Sequence, residues 1–191
     1  MMGLKKQGLY LPEFEHDNCG AGFICSLKGI KSNDIIHKAL EILDKLEHRG
    51  AVSADGKTGD GAGILIDIPH AFFKDTCSFD LPEAGEYAVG NVFLPQKENQ
   101  RDFCIKVFEE NIAKQGLELL GWRNVPVNRS VPGKIAAETE PYVMQVFVGK
   151  TEDLDEFQFN LKLLIASKIN EHTVIESKLS ESEFFYLPSL S

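Results

Sequence analysis

No run of lysines and arginines, no apolar stretch of membrane-spanning length and no Cys-x-x-Cys pair occurs anywhere in this chain. Each absence removes a class of function. With 29 acidic against 20 basic residues the formal net charge is −9, and such a surface repels a phosphate backbone, so no nucleic-acid partner is expected. A bilayer-crossing helix needs about 20 consecutive apolar residues. The apolar segments here are shorter and broken by glycine, proline or charge, so no membrane span is expected either. Cysteine occurs only at 19, 25, 77 and 104, too sparsely for a disulfide scaffold. A reducing compartment, the cytoplasm, is the simplest setting. Histidines 16, 37, 48, 70 and 172 are scattered, and only His16-x-x-Cys19 has a short ligand spacing. That pair is weak ground for zinc, and no metal is expected.

What is present is ordinary in bulk and specific in detail. A hydrophobic fraction of 43% and a charged fraction of 26% over 191 residues suit one globular domain with a substantial core. In residues 1–18, Lys5 and Lys6 are followed by Gly8-Leu9-Tyr10-Leu11 and then Pro12. An apolar run this short is no secretory signal. The leader suits a propeptide or a plain disordered terminus.

Apolar periodicity predicts a strand over Cys19–Leu27, a turn over Gly29–Asn33 and an amphipathic helix from Asp34 to Gly50. Its apolar face is Ile35, Ile36, Ala39, Leu40, Ile42, Leu43 and Leu46; Lys38, Glu41, Asp44 and Lys45 form the polar one. A short buried strand is expected over Ile64–Ile68, and further strands over Tyr87–Leu94, Leu117–Leu120 and Tyr142–Val148. Two more helices are expected. The first, Gln100–Gln115, points Phe103, Cys104, Val107, Phe108 and Ile112 inward. The second, Leu154–Ile169, buries Phe157, Leu161, Leu164 and Ile165. Phe184–Leu187 reads as the start of a last strand. Strands alternating with helices indicate an α/β or layered α+β fold.

Three segments carry chemistry. Cys19 stands in Asp17-Asn18-Cys19-Gly20-Ala21-Gly22-Phe23. Cleavage after Asn18 would expose a cysteine bearing both a thiol, titrating near about 8.5, and an α-amino group near about 7.7–8.0, so the amine can take the thiol proton at neutral pH. The alternative is a small apolar strand residue. Arg49, in Leu46-Glu47-His48-Arg49-Gly50-Ala51, reads either as a charge complementing the helix dipole or as a fixed cation for a thiolate or an amino-acid carboxylate. His48 reads as a structural hydrogen-bonding residue. Gly56-Lys57-Thr58-Gly59-Asp60-Gly61-Ala62-Gly63 imitates a phosphate loop, but the spacing from Gly50 is one residue too long and no strand precedes it. A sharply bent loop packed on other backbone is the better account. Glu109-Glu110 reads as part of a solvated helix face.

Cys19-Gly20-Ala21-Gly22-Phe23, Leu46 to Ala51 and Thr58-Gly59-Asp60-Gly61-Ala62-Gly63, in that order, resemble the N-terminal glutaminase domain of the glutamate synthase large subunit. This is a type 2 glutamine amidotransferase with an N-terminal nucleophile. Gly8-Leu9-Tyr10 through Phe14-Glu15-His16-Asp17 is similar to the family's propeptide. Gly121-Trp122-Arg123-Asn124-Val125-Pro126-Val127 and Glu138-Thr139-Glu140-Pro141 continue the match.

The resemblance implies an α+β fold, the αββα sandwich of N-terminal-nucleophile hydrolases, with residues 1–18 as the leader and 19–191 as the first part of the domain. It implies Cys19 as the nucleophile on L-glutamine and Arg49 as a substrate-binding residue. Released ammonia would pass to 2-oxoglutarate in the full enzyme. FMN and an iron–sulfur cluster are implied for that full enzyme and none for this chain; a small subunit or ferredoxin would be further partners. The family's later arginine segment and Asn-Gly oxyanion pair have no counterpart in this sequence, so little glutaminase activity is expected of it alone. An amidotransferase with another ammonia acceptor, or an unprocessed non-catalytic module, are the rival expectations.

Overall fold

The computed structural model describes residues 20–46, 54–59 and 61–191. They fall into two compact units. The first takes in the described residues of Met1–Ile66 with Pro132–Ile135; the second is Asp67–Val131 with Ala136–Ser191.

In the first unit, helix α1 spans Asn33–Leu46. Its apolar stripe is half-buried except at the exposed Leu40, and no residue of the helix is fully buried. The polar face carries the i,i+4 pairs Asp34–Lys38 at 2.5 Å and Glu41–Lys45 at 2.7 Å, whose type adds a few tenths of a kcal/mol each. The segment before α1 was expected to be a strand, but residues 20–26 join no ladder. The chain turns at Ser26–Gly29 rather than after Gly29, with Gly29 N donating to Ser26 O at 3.0 Å. Phe23 is 90% exposed. Nor is Ile64–Ile68 a buried strand: it has no regular structure, and Leu65 is 87% exposed. A strand exists only where a partner satisfies its backbone, and neither segment pairs among the described residues.

The second unit is built on a three-stranded antiparallel sheet in the order β1-β3-β2, with β1 Tyr87–Leu94, β2 Glu118–Asn124 and β3 Tyr142–Gly149. Tyr87 pairs with Gly149 and Leu94 with Tyr142. Glu118 also pairs with Gly149, and a bulge lies between Leu119 and Gly121. The central β3 is covered on both faces: Val146, Phe147 and Val148 are fully buried. Helices α3 (Glu98–Lys114) and α5 (Glu156–Glu176) cover the face of Ala88, Val92, Leu94, Val146 and Val148, contributing Cys104, Phe108, Ile112, Phe159, Leu163, Ala166 and Val174. On the opposite face helix α2 (His70–Thr76) packs Phe73 edge-on to Phe147, with Phe79 beside it. A one-turn helix α4 lies at Lys134–Glu138.

Three expectations are corrected here. The side of α5 against the sheet is Phe159, Leu163, Ala166, Asn170 and Val174, whereas Phe157 (74% exposed), Leu161, Leu164 and Ile165 face away. This helix is apolar on both sides, so periodicity has two answers and the sheet chose between them. The tail forms no regular strand: a 3₁₀ turn at Ser182–Phe184 leads to an isolated bridge between Tyr186 and Phe93, and Ser191 exchanges backbone hydrogen bonds with Val89 at 2.9 and 3.4 Å. Leu187 and Leu190 then pack on the core. Glu109 is half-buried and accepts a 3.0 Å bond from the indole N–H of Trp122, so it is no freely solvated carboxylate.

Candidate active site

Both residues singled out in the sequence, Cys19 and Arg49, lie outside the described residues, as does His48. Their neighbours are described and come together. Gly20 lies against Leu46, and a Cβ on it would stand 2.9 Å from Leu46 Cδ2; a Cβ on Gly22 would stand 2.6 Å from Ile42 Cγ2. The glycines that follow Cys19 therefore let the backbone lie directly on the apolar stripe of α1. The segment runs antiparallel to the helix, with its Gly20 end at the helix C-terminus, three residues before Arg49 in the chain. Phe23, Ile24, Lys38, Glu41, Ile42 and Lys45 line an open groove of about 300 Å³ on this unit.

Beyond α1 the glycine-rich loop has a defined centre. The Asp55 carboxylate accepts from Thr58 N at 2.7 Å and Lys57 N at 3.0 Å through Oδ1, and from Thr58 Oγ1 at 2.6 Å through Oδ2. Oδ2 also accepts from Ile135 N at 3.3 Å, across 80 positions of sequence. These donors, the Thr58 hydroxyl foremost, hold the Asp55 carboxyl far below the usual carboxylate range. Its stabilising effect is present above about pH 4 and is lost as acid protonates it. The expected bend is present at Gly56, whose φ is 67°, but a Cβ at Gly56, Gly61 or Gly63 would meet nothing within 4 Å, so these glycines do not pack on other backbone as expected.

The other described cysteines fit a nucleophile poorly. Burial pushes the Cys104 thiol up to about 11, and burial also raises that of Cys77 despite nearby Arg123; a nucleophilic thiol needs the opposite shift. Cys25 is exposed and free. Among the described residues no three His, Cys, Asp or Glu side chains gather as metal ligands, and no helix is long and apolar enough to cross a membrane.

The class-II glutamine amidotransferase family matches residues 19–191. The chain belongs to that family. Its match begins at Cys19 itself. Among named relatives, the NADPH glutamate synthase large chain of Bacillus subtilis is 44% identical over 189 residues, covering 98% of this chain and 12% of that protein. The NADH glutamate synthase of Saccharomyces cerevisiae is 43% identical over 176 residues, 85% of this chain and 8% of that one. The chloroplastic ferredoxin-dependent glutamate synthase 2 of Arabidopsis thaliana is 38% identical over 197 residues, with 98% and 12% covered. The chain thus spans about a tenth of the length of these relatives.

Within this chain, the Gly121–Asn124 motif works as packing. A Cβ at Gly121 would meet the Phe79 ring at 2.5 Å, and Trp122 stacks edge-on to Phe108. Arg123 donates to Gln145 Oε1 at 2.8 Å and lies over Phe72, while Asn124 accepts from the Tyr142 hydroxyl at 3.0 Å. The residue that sequence reading missed is Asp55. Asp-x-x-Thr is a local turn signal, but nothing in it points to Ile135.

Proposed function

We propose that this chain carries the glutaminase half-reaction of a glutamate synthase, with Cys19 as nucleophile after removal of residues 1–18. The observation that supports it most is the family match that starts at Cys19, leaving the leader outside. The α-amino group of Cys19 takes the thiol proton as Sγ attacks the side-chain carboxamide carbon of L-glutamine. The tetrahedral intermediate collapses to a γ-glutamyl thioester, and the same amine returns the proton to the departing ammonia. Water then cleaves the thioester, giving glutamate and the free thiol. Arg49 holds the substrate α-carboxylate as a fixed planar cation. The α+β arrangement is read as part of the αββα sandwich of N-terminal-nucleophile hydrolases.

In the longer enzyme the ammonia would pass to 2-oxoglutarate, and FMN and an iron–sulfur cluster in parts outside this chain would relay electrons to that reduction from a donor such as the NADPH, NADH or ferredoxin in the relatives' names. The relatives' names favour that acceptor over another. The test is intact mass before and after 6-diazo-5-oxo-L-norleucine, a glutamine analogue that alkylates an activated thiol with loss of N₂. A species starting at Cys19 that gains one adduct, absent in Cys19→Ala, is expected. An unprocessed chain with no Cys19-dependent adduct would instead make this a non-catalytic module.

A further inference from the structure

The sheet of the second unit has two edges, and they are protected differently. The edge belonging to β2 carries its own safeguards: the charged Glu118 and Arg123, and the bulge between Leu119 and Gly121. Such features discourage a strand from pairing with another chain. β1, the other edge, is eight residues without a charge or a proline, in unbroken register with β3. Left open, a regular apolar edge of this kind is a template for pairing with another molecule.

The β1 edge is covered. Tyr186 and Phe93 exchange backbone hydrogen bonds of 2.8 and 3.0 Å, and Ser191 and Val89 do so at 2.9 and 3.4 Å. Between these contacts residues 187–190 face only Gly90, Asn91 and Val92 of β1, so the covering segment bulges. Gly90 makes the room: a Cβ there would stand 2.8 Å from Ser189 O and 3.0 Å from Cδ1 of both Leu187 and Leu190. Those two leucines pack on the core in its place. The root of the segment is fixed as well. Glu181 Oε2 accepts from Lys97 N at 3.0 Å, Glu181 N donates to Gln100 Oε1 at 3.0 Å, and Gln100 Nε2 donates to Ser180 Oγ at 2.7 Å. The cover is itself a poor template, because Pro188 has no N–H and the bulge breaks its register.

We infer that residues 180–191 guard the β1 edge, and that the partner this edge takes when the guard lifts is β1 of a second copy of the chain. Val89 and Phe93 direct their N–H and C=O groups outward, to the guard. Asn91, two residues from each, points the same way in a pleated strand. Two such edges meeting antiparallel about Asn91 are self-complementary, as a two-fold contact requires. The guard therefore decides between a monomer and edge-to-edge association. Neither Cys19 nor glutamine takes part.

The test compares the full chain with a deletion of residues 188–191, with Gly90→Val, and with the deletion carrying Asn91→Lys. The deletion removes the Ser191 bonds and spares the buried Phe185. Gly90→Val keeps the segment but takes its room. A lysine at the exposed position 91 leaves the edge open but charged. Mass is followed by light scattering from about 1 µM to about 1 mM, together with exchange of the Val89 amide. Iodoacetamide labelling of Cys104 checks that the core is folded. The wild type is expected to stay monomeric. At the lowest concentration the deletion and Gly90→Val should each exchange the Val89 amide about a hundredfold faster than wild type. As concentration rises, their mass should reach that of a dimer or larger and Val89 protection should return. The deletion with Asn91→Lys should exchange fast and stay monomeric throughout. Unchanged Val89 exchange in both variants overturns the cover. A deletion that frees the amide yet stays monomeric overturns the guard role. Association that Asn91→Lys does not suppress, or that leaves Val89 unprotected, overturns β1 as the interface. Labelling of Cys104 in both the deletion and Gly90→Val would make the segment part of the core and not its guard, which overturns the inference too.

Discussion

At the scale of single residues, the three described cysteines differ in their surroundings: Cys25 is exposed, Cys77 partly buried and Cys104 buried. Cys104 sits fully buried between α3 and the sheet. Burial alone pushes its thiol up to about 11, because the apolar interior disfavours the thiolate. The unfolded chain, with an ordinary thiol near about 8.5, loses that proton first. Stability from this site is therefore complete below about pH 8.5 and declines as pH rises toward 11, by on the order of 3 kcal/mol. Urea midpoints measured from pH 8 to 10.5 should fall, and Cys104→Ala should lack this part of the slope. Iodoacetamide at pH 8 should label Cys25 and spare Cys104 until the chain unfolds; equal labelling would contradict the burial.

At the scale of elements, α5 shows how a helix with two apolar sides is sorted. It opens with a complete capping box, Asp155 accepting from Gln158 N at 2.7 Å while the Gln158 side chain accepts from Asp155 N at 3.2 Å. Such a cap is worth about 1 kcal/mol, so Asp155→Ala should lower stability by that amount in a denaturant titration. The buried side includes Asn170, which accepts from Asn111 of α3 at 2.7 Å. Neighbouring leucines report the choice. Leu163→Ala should cost about 2–5 kcal/mol through a core cavity, whereas Leu164→Ala, on the exposed side, should stay within about 0.5 kcal/mol. Equal costs would mean that the helix is rotated. Helix α3 has no cap of its own; Glu181, far along the chain, accepts from Lys97 N at 3.0 Å.

At the scale of the molecule, the two units differ in how their backbone is satisfied. The second has a sheet with a doubly covered central strand and two helices on its face. Among its described residues the first has helix α1, without a fully buried residue, and a segment, 20–26, without ladder bonds. Hydrogen exchange should therefore be slowest at Val146, Phe147 and Val148 and about a thousandfold faster or more at 20–27 and 61–67. Protection at 20–27 matching that of β3 would show that this segment has found a strand partner.

The sequence by itself determined the elements whose signal is local. Tyr87–Leu94 and Tyr142–Val148 alternate or run apolar between turn residues, α1 carries one stripe and one charged face, and the motifs Cys19–Phe23, Leu46–Ala51 and Thr58–Gly63 resemble the family that the match over 19–191 shows. Those properties are set by neighbours a few residues away, so they survive without knowledge of the fold. Only the tertiary structure decided the rest. It chose the face of α5, left Ile64–Ile68 and residues 20–26 unpaired, and turned the tail into a 3₁₀ turn and a bridge. It also brought Ile135 to Asp55. Each of these depends on a partner distant in sequence, because a strand, a buried face or a shared carboxylate is completed by what packs against it and not by the residues that begin it.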